Sequence, residues 1–248
     1  MAHPSAADTP EELTALASDH GLGRLAENIA NLSLPAVRLE TTDRRTASFV
    51  GGPPTASESG PTANDGHELT RLVCVDLSEL AGTLEASPLP PSGWMTFYAD
   101  LRADGNLLEW SETPGNNGAA AVTLSPESSP MPSAGYLEMT QALTITHPDL
   151  ANERWDMTPQ EHDGYFDLWS IQNGLLASGP PETDVPFIQM LGHPRWVQGP
   201  LDLSRNQVLL LECCPEDIVG ENLATGAETF FIGDAITPSA LPHVHVQL

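Results

Sequence analysis

The segment GWMTFYAD at residues 93–100 is echoed by GAETFFIGD at residues 226–234. Both read Gly-x-x-Thr-Phe-aromatic with an Asp shortly after, and each follows an apolar strand and an acidic stretch. The complete stretches, 73–100 and 208–234, have nearly the same length. A repeat of this kind predicts a mainly β (α+β) fold, a single compact domain in which internally duplicated β-units are flanked by peripheral helices. Chance similarity between two strand pairs is the alternative.

Two helix starts carry the same signal. Thr9 and Thr158 are each followed by Pro and, three residues later, by Glu, the pattern of a capping box with Pro at the first helical position. Leucines and Ile29 follow the first start at roughly helical spacing, and Gly21 and Gly23 are expected to divide that segment into two short helices before Pro35.

The second start predicts a helix of about 12 residues with an aromatic stripe. The stripe consists of His162, Tyr165, Phe166 and Trp169. We expect it to pack into the core, and a ligand-stacking face is the alternative.

The expected organisation is an N-terminal helical segment with a short strand at 1–46, followed by a β-rich domain at 47–248. Residues 51–66 have almost no apolar side chain to bury, so they predict a flexible loop. Further strands are predicted at 36–40, 72–77, 94–99, 107–110, 119–124 and 137–144.

The charge balance argues against two classes of partner. The 248 residues contain nine Arg, no Lys and 34 acidic residues, for a formal charge of −25. Nucleic acid and anionic membranes attract clustered positive charge, so neither is an expected partner. The acidity fits a docking surface for a basic protein or mimicry of nucleic acid. It equally fits a solvated surface from a high-GC or salt-adapted organism.

The cysteines and the absence of a targeting segment predict a cytoplasmic protein. Cys74, Cys213 and Cys214 are an odd number without a disulfide framework, which favours a reducing compartment. There is no basic and apolar leader and no apolar run long enough to cross a membrane.

The order of segments resembles the YwqG-like family, also called domain of unknown function DUF1963, from about Ala47 onward. The matching pieces are 48–53, 72–80, 89–100, 191–198, 209–211 and 226–232. The resemblance implies a mainly β fold with an internal duplication and peripheral helices, and it implies no established reaction, cofactor or catalytic residue.

The chain departs from the family pattern in two places. The family usually has Trp-Pro after its Gly-Gly-x-Pro segment and Trp-Gly-Asp before the last aromatic strand. This sequence has Glu58-Ser59-Gly60-Pro61 and Glu221-Asn222-Leu223-Ala224 near those positions. A ligand that depended on the missing Trp residues would not be bound here.

The densest polar cluster beside apolar sequence is Gly192 to Gly199, in which His193, Arg195, Trp196 and Gln198 are the candidate binding residues. His193 is also the candidate general acid or base, because imidazole titrates near neutral pH. The alternative is that His193 and Gln198 satisfy buried backbone groups at a loop crossing, with Trp196 in the core.

Two other groups are candidates for metal or redox chemistry. His243 and His245 lie on one face of a predicted strand, where they can share a metal, although no further ligand follows at diagnostic spacing. Cys213 and Cys214 fit a redox pair, or small core residues at a strand end. Phosphate-binding, dinucleotide-binding, Ser-hydrolase and zinc motifs are absent, so no cofactor is expected.

These observations lead to two hypotheses. The first is a non-catalytic binding protein with an acidic surface, with immunity against a toxin as one version. The alternative is a cofactor-independent cyclase, isomerase or hydrolase that acts on a small metabolite or peptide through His193 and a carboxylate. Its partner is accordingly a protein or a small molecule, and the sequence does not define an oligomeric state.

Overall fold

The structure, a computed structural model, describes residues 6–51, 60–63, 65–100, 120–125, 135–173, 187–196, 200, 207–214, 218, 228–234 and 243–247. Most of the loop predicted at 51–66, the strand predicted at 107–110, and Gln198 lie outside these residues.

The helices are short and lie outside the repeated strand pairs, apart from one between the strands of the first pair. They are α1 (Pro10–Asp19), α2 (Ala26–Leu32), α3 (Leu77–Thr83), α4 (Pro148–Trp155) and α5 (Pro159–Gln172). Within the described residues, no helix is long and apolar enough to cross a membrane.

The strands alternate in length between very short and full-length. They are β1 (Leu34–Thr42), β2 (Phe49–Val50), β3 (Thr70–Asp76), β4 (Trp94–Ala99), β5 (Ala120–Ser125), β6 (Gly135–Thr144), β7 (Ile188–Leu191), β8 (Gln207–Cys213), β9 (Glu228–Asp234) and β10 (His243–Gln247).

The strands form one sheet in the order β10-β9-β8-β7-β1-β6-β2-β3-β4-β5. The end strands β10 and β5 contact each other. The predicted mainly β fold with added helices is confirmed.

The duplication extends over four strands on each side of the sheet. Antiparallel pairing aligns Phe49, Cys74, Thr96 and Thr123 across β2-β3-β4-β5. The same pairing aligns Ile188, Cys213, Thr229 and Val246 across β7-β8-β9-β10. Thr96 and Thr229 are the threonines of the two Gly-x-x-Thr-Phe segments, so the sequence repeat corresponds to a repeat in strand register.

Each repeat also interrupts its central pairing at nearly the same place. In β3–β4 the register shifts between Arg71 and Val73, and in β8–β9 it shifts between Leu209 and Leu211. A bulge bends and twists a strand pair locally. Because bulges follow backbone geometry rather than one residue type, their recurrence is independent support for the duplication.

The chain divides into two compact units, each made of three stretches of sequence. Unit 1 comprises Met1–Ala36, Gln141–Asp184 and Leu191–Asp202, and unit 2 comprises the intervening stretches and the C-terminal part. The predicted division at residues 46 and 47 stays a prediction about the extent of the family resemblance.

The core of unit 1 is built where α1, α2, α4 and α5 pack together. Its fully buried members include Leu13, Leu22, Ile29, Tyr165 and Leu168. Both predicted capping boxes are present: Thr9 Oγ1 accepts from the Glu12 backbone N–H and Thr158 Oγ1 from that of Glu161. They fix where α1 and α5 begin, and therefore which residues face this core.

The aromatic stripe of α5 is divided between core and surface. Tyr165 and Trp169 are buried, as expected, whereas the side chain of Phe166 is 50% exposed. Full burial of the stripe is therefore wrong for Phe166, because the core covers only part of the arc over which these four positions spread.

Candidate functional site

The segment Leu191–Trp196 has an unusual backbone. Leu191 and Trp196 have φ values of 61° and 47°, and Gly192 lies between them in sequence with φ 73°. Left-handed φ is unfavourable for residues with a Cβ, and such conformations concentrate at binding and catalytic sites. This segment contains three of the four binding residues predicted from sequence.

Gly192 is required by space as well as by φ. A Cβ at this position would lie 2.7 Å from the Ala36 Cβ and still closer to the Thr144 Oγ1. The turn after β7 therefore passes directly over the last residue of β6, which brings His193 to that place.

His193 is held at its backbone and at its ring. Its N–H donates to Thr144 Oγ1 at 2.7 Å, and the same hydroxyl donates to the Leu34 carbonyl at 3.1 Å. The ring Nε2 lies 2.9 Å from the Leu32 carbonyl oxygen. A carbonyl only accepts hydrogen bonds, so Nε2 carries the proton and, in the neutral ring, Nδ1 carries the lone pair.

Burial lowers the pKa of His193, the Leu32 carbonyl opposes that shift, and the positive charge of Arg154 lowers the pKa further. The side chain is nevertheless only half-buried. His193 is therefore neutral at neutral pH while remaining accessible in part, as a hydrogen-bonding group at a surface would be.

The other predicted binding residues have different positions. Arg195 and Trp196 are buried, with 7% and 2% exposure. The core position expected for Trp196 in the structural alternative is thus found.

The metal and redox candidates gain no support as sites. His243 and His245 lie on β10, where period two places them on one face. Among the described residues there is no group of three or more potential metal ligands. Cys74, Cys213 and Cys214 are all free thiols, and Cys74 and Cys213 are buried.

Sequence reasoning missed a buried polar row in unit 2. Gln189 on β7 pairs in register with Glu212 on β8, and both side chains are fully buried. The equivalent pair in the first repeat is apolar, Val50 with Val73. Extending the repeat alignment backwards from the two threonines would have shown Glu212 in place of a valine.

Comparison with known proteins does not assign this chain to a family. No family model matches it, and no curated protein is found to match its sequence. The resemblance to the YwqG-like family stays a prediction. What the structure defines is a mainly β chain with a duplicated sheet and a strained, His-bearing turn.

Proposed function

We propose that this protein is a non-catalytic binding protein whose acidic surface engages a basic protein partner. The observation that carries the proposal is the use of its few arginines. Arg71 and Arg195 are buried, and Arg24 and Arg44 are ion-paired with Glu161 and Glu138. Much of the positive charge is thereby withdrawn from contact with a partner.

The acidic side chains of unit 1 are in the opposite situation. Seven of them on or beside the helices are exposed and have no hydrogen bond or ion pair with any residue in the described ranges: Asp8, Glu11, Asp19, Glu27, Glu153, Asp163 and Asp167. Unscreened charges of one sign attract a partner of the opposite sign and accelerate its association. A protein that inhibits a basic toxin is one version of this function.

The test is the salt dependence of binding to a partner. The full chain is immobilised, a partner is captured from an extract of the source organism, and the purified pair is measured by calorimetry. Affinity is expected to fall at least about tenfold between roughly 50 mM and 500 mM NaCl, because salt screens exposed charges. An affinity that is equal at both concentrations would contradict the proposal.

A second candidate is a cofactor-independent enzyme that uses His193. The strained backbone on either side of His193 favours it, since strain is often retained where a side chain must be held in one orientation. The bond from Nε2 to the Leu32 carbonyl limits this role to Nδ1. A general base of this kind predicts that His193→Gln abolishes turnover while leaving the affinity for the substrate nearly unchanged.

A further inference from the structure

The exposed face of α5 combines an aromatic ring with carboxylates. Phe166 is half-exposed, and its ring centroid lies 5.7 Å from that of the buried Trp169 at a tilt of 47°. Trp169 in turn stacks edge-on against His147 at 5.0 Å. The exposed ring therefore rests on a fixed aromatic support rather than on mobile side chains.

Two carboxylates flank this ring. Asp163 lies one turn before Phe166, on the same side of the helix, and Asp167 is the next residue. Both are exposed, and neither has a hydrogen bond or ion pair with any residue that the structure describes.

Glu161, at the start of the same helix, differs from both. Arg24 donates to its two carboxylate oxygens at 2.6 and 2.9 Å. The arginine of unit 1 that reaches α5 is therefore used at the beginning of the helix, and the negative charge of the following turn stays unneutralised.

We propose that this surface, defined as Asp163, Phe166 and Asp167, binds an arginine side chain in an exposed basic segment of the partner. The inference rests on the proposed function and adds to it the place of contact and the residue type recognised. A guanidinium is planar, so it stacks on an aromatic ring and presents N–H groups in its plane to carboxylates at the ring edge. A lysine ammonium is a compact, strongly hydrated charge that gains less from the ring.

The experiment compares two peptides of equal charge, nona-arginine and nona-lysine, by calorimetry with the full chain at low salt. The native chain is expected to bind nona-arginine about two- to fivefold more tightly, the range for an exposed cation–π contact. Phe166→Leu keeps an apolar side chain but removes the ring, so it should abolish the preference. Leu34→Ala, at another exposed apolar side chain, should preserve it.

A charge-matched pair of variants tests the carboxylates. Asp163→Asn with Asp167→Asn is compared with Glu11→Gln and Asp19→Asn, which removes the same number of exposed, unpaired charges on and near α1. The α5 variant should weaken nona-arginine binding by about two- to fivefold more than the control, because an exposed ion pair contributes that much locally. Thermal unfolding of each variant checks that it folds.

The outcomes separate the two proposals. Equal affinity for both peptides, or a preference unchanged by Phe166→Leu, would overturn the arginine site, while salt-sensitive binding of either peptide would leave the acidic docking function standing. If neither peptide bound at low salt, both proposals would be rejected.

Discussion

Replacing Thr144 by Val tests whether one hydroxyl organises the His193 turn. Thr144 is completely buried at the end of β6, and its Oγ1 joins the His193 N–H to the Leu34 carbonyl. Valine has nearly the same shape, so it leaves no cavity but removes both bonds. At about 1 kcal/mol for each, the loss should be about 2 kcal/mol in the free energy of unfolding. For a chain of this size that corresponds to a fall of about 4–8 °C in Tm.

Urea titration of the native chain, Thr144→Val and Thr144→Ser provides the measurement. Serine keeps the hydroxyl and loses one buried methyl group, so it should cost only about 1 kcal/mol. The valine variant should also raise the pKa of His193 towards its ordinary value, since a released turn buries the ring less, and NMR titration of that imidazole reports the change. The reasoning is refuted if valine costs no more than serine and leaves the pKa of His193 where it was.

Three other changes have defined outcomes. Gly192→Ala should destabilise the chain by more than Gly21→Ala, because both positions have left-handed φ but only Gly192 has neighbours against which a Cβ would collide; urea midpoints compare them, and equal costs would exclude the collision. Hydrogen bonds from Arg24, then from the Thr158 backbone, lower the pKa of Glu161 to about 2, so this carboxylate stabilises the fold fully above pH 4.5 and loses that contribution as the pH falls towards 2. Glu161→Gln should flatten the dependence of Tm on pH in this window, and an unchanged dependence would show that Glu161 is not its source. Tyr165→Phe should cost about 1 kcal/mol in urea unfolding by removing the bond from its hydroxyl to the Thr146 carbonyl, and a neutral result would mean that water replaces the hydroxyl.

Part of the fold followed from local chemistry that the sequence displays directly. The starts of α1 and α5 depend on Thr, Pro and Glu at fixed spacing, so they could be placed to the residue. The repeated strand pairs were visible because β3, β4, β8 and β9 are long enough to show composition and pattern. Their common register follows from the aligned Thr96 and Thr229.

Other features exist only through contacts between distant segments. Strand β2 has two residues, Phe49 and Val50, and is a strand only because β3 and β6 hydrogen-bond to it on either side. The four-residue β7 is of the same kind. Isolated segments of this length carry too little pattern to identify them, so the full extent of the duplication was not predictable.

The sequence by itself determined the residues that the candidate site contains, because a His among apolar neighbours and an excess of carboxylates are properties of composition. Only the tertiary structure decided how they are used. Thr144 and His193 are 49 residues apart and meet because β6 ends under the turn that follows β7. Phe166 belongs to the same helical stripe as Trp169, but one ring is exposed and the other buried, because periodicity fixes the direction of a side chain and the packing of other segments fixes what covers it.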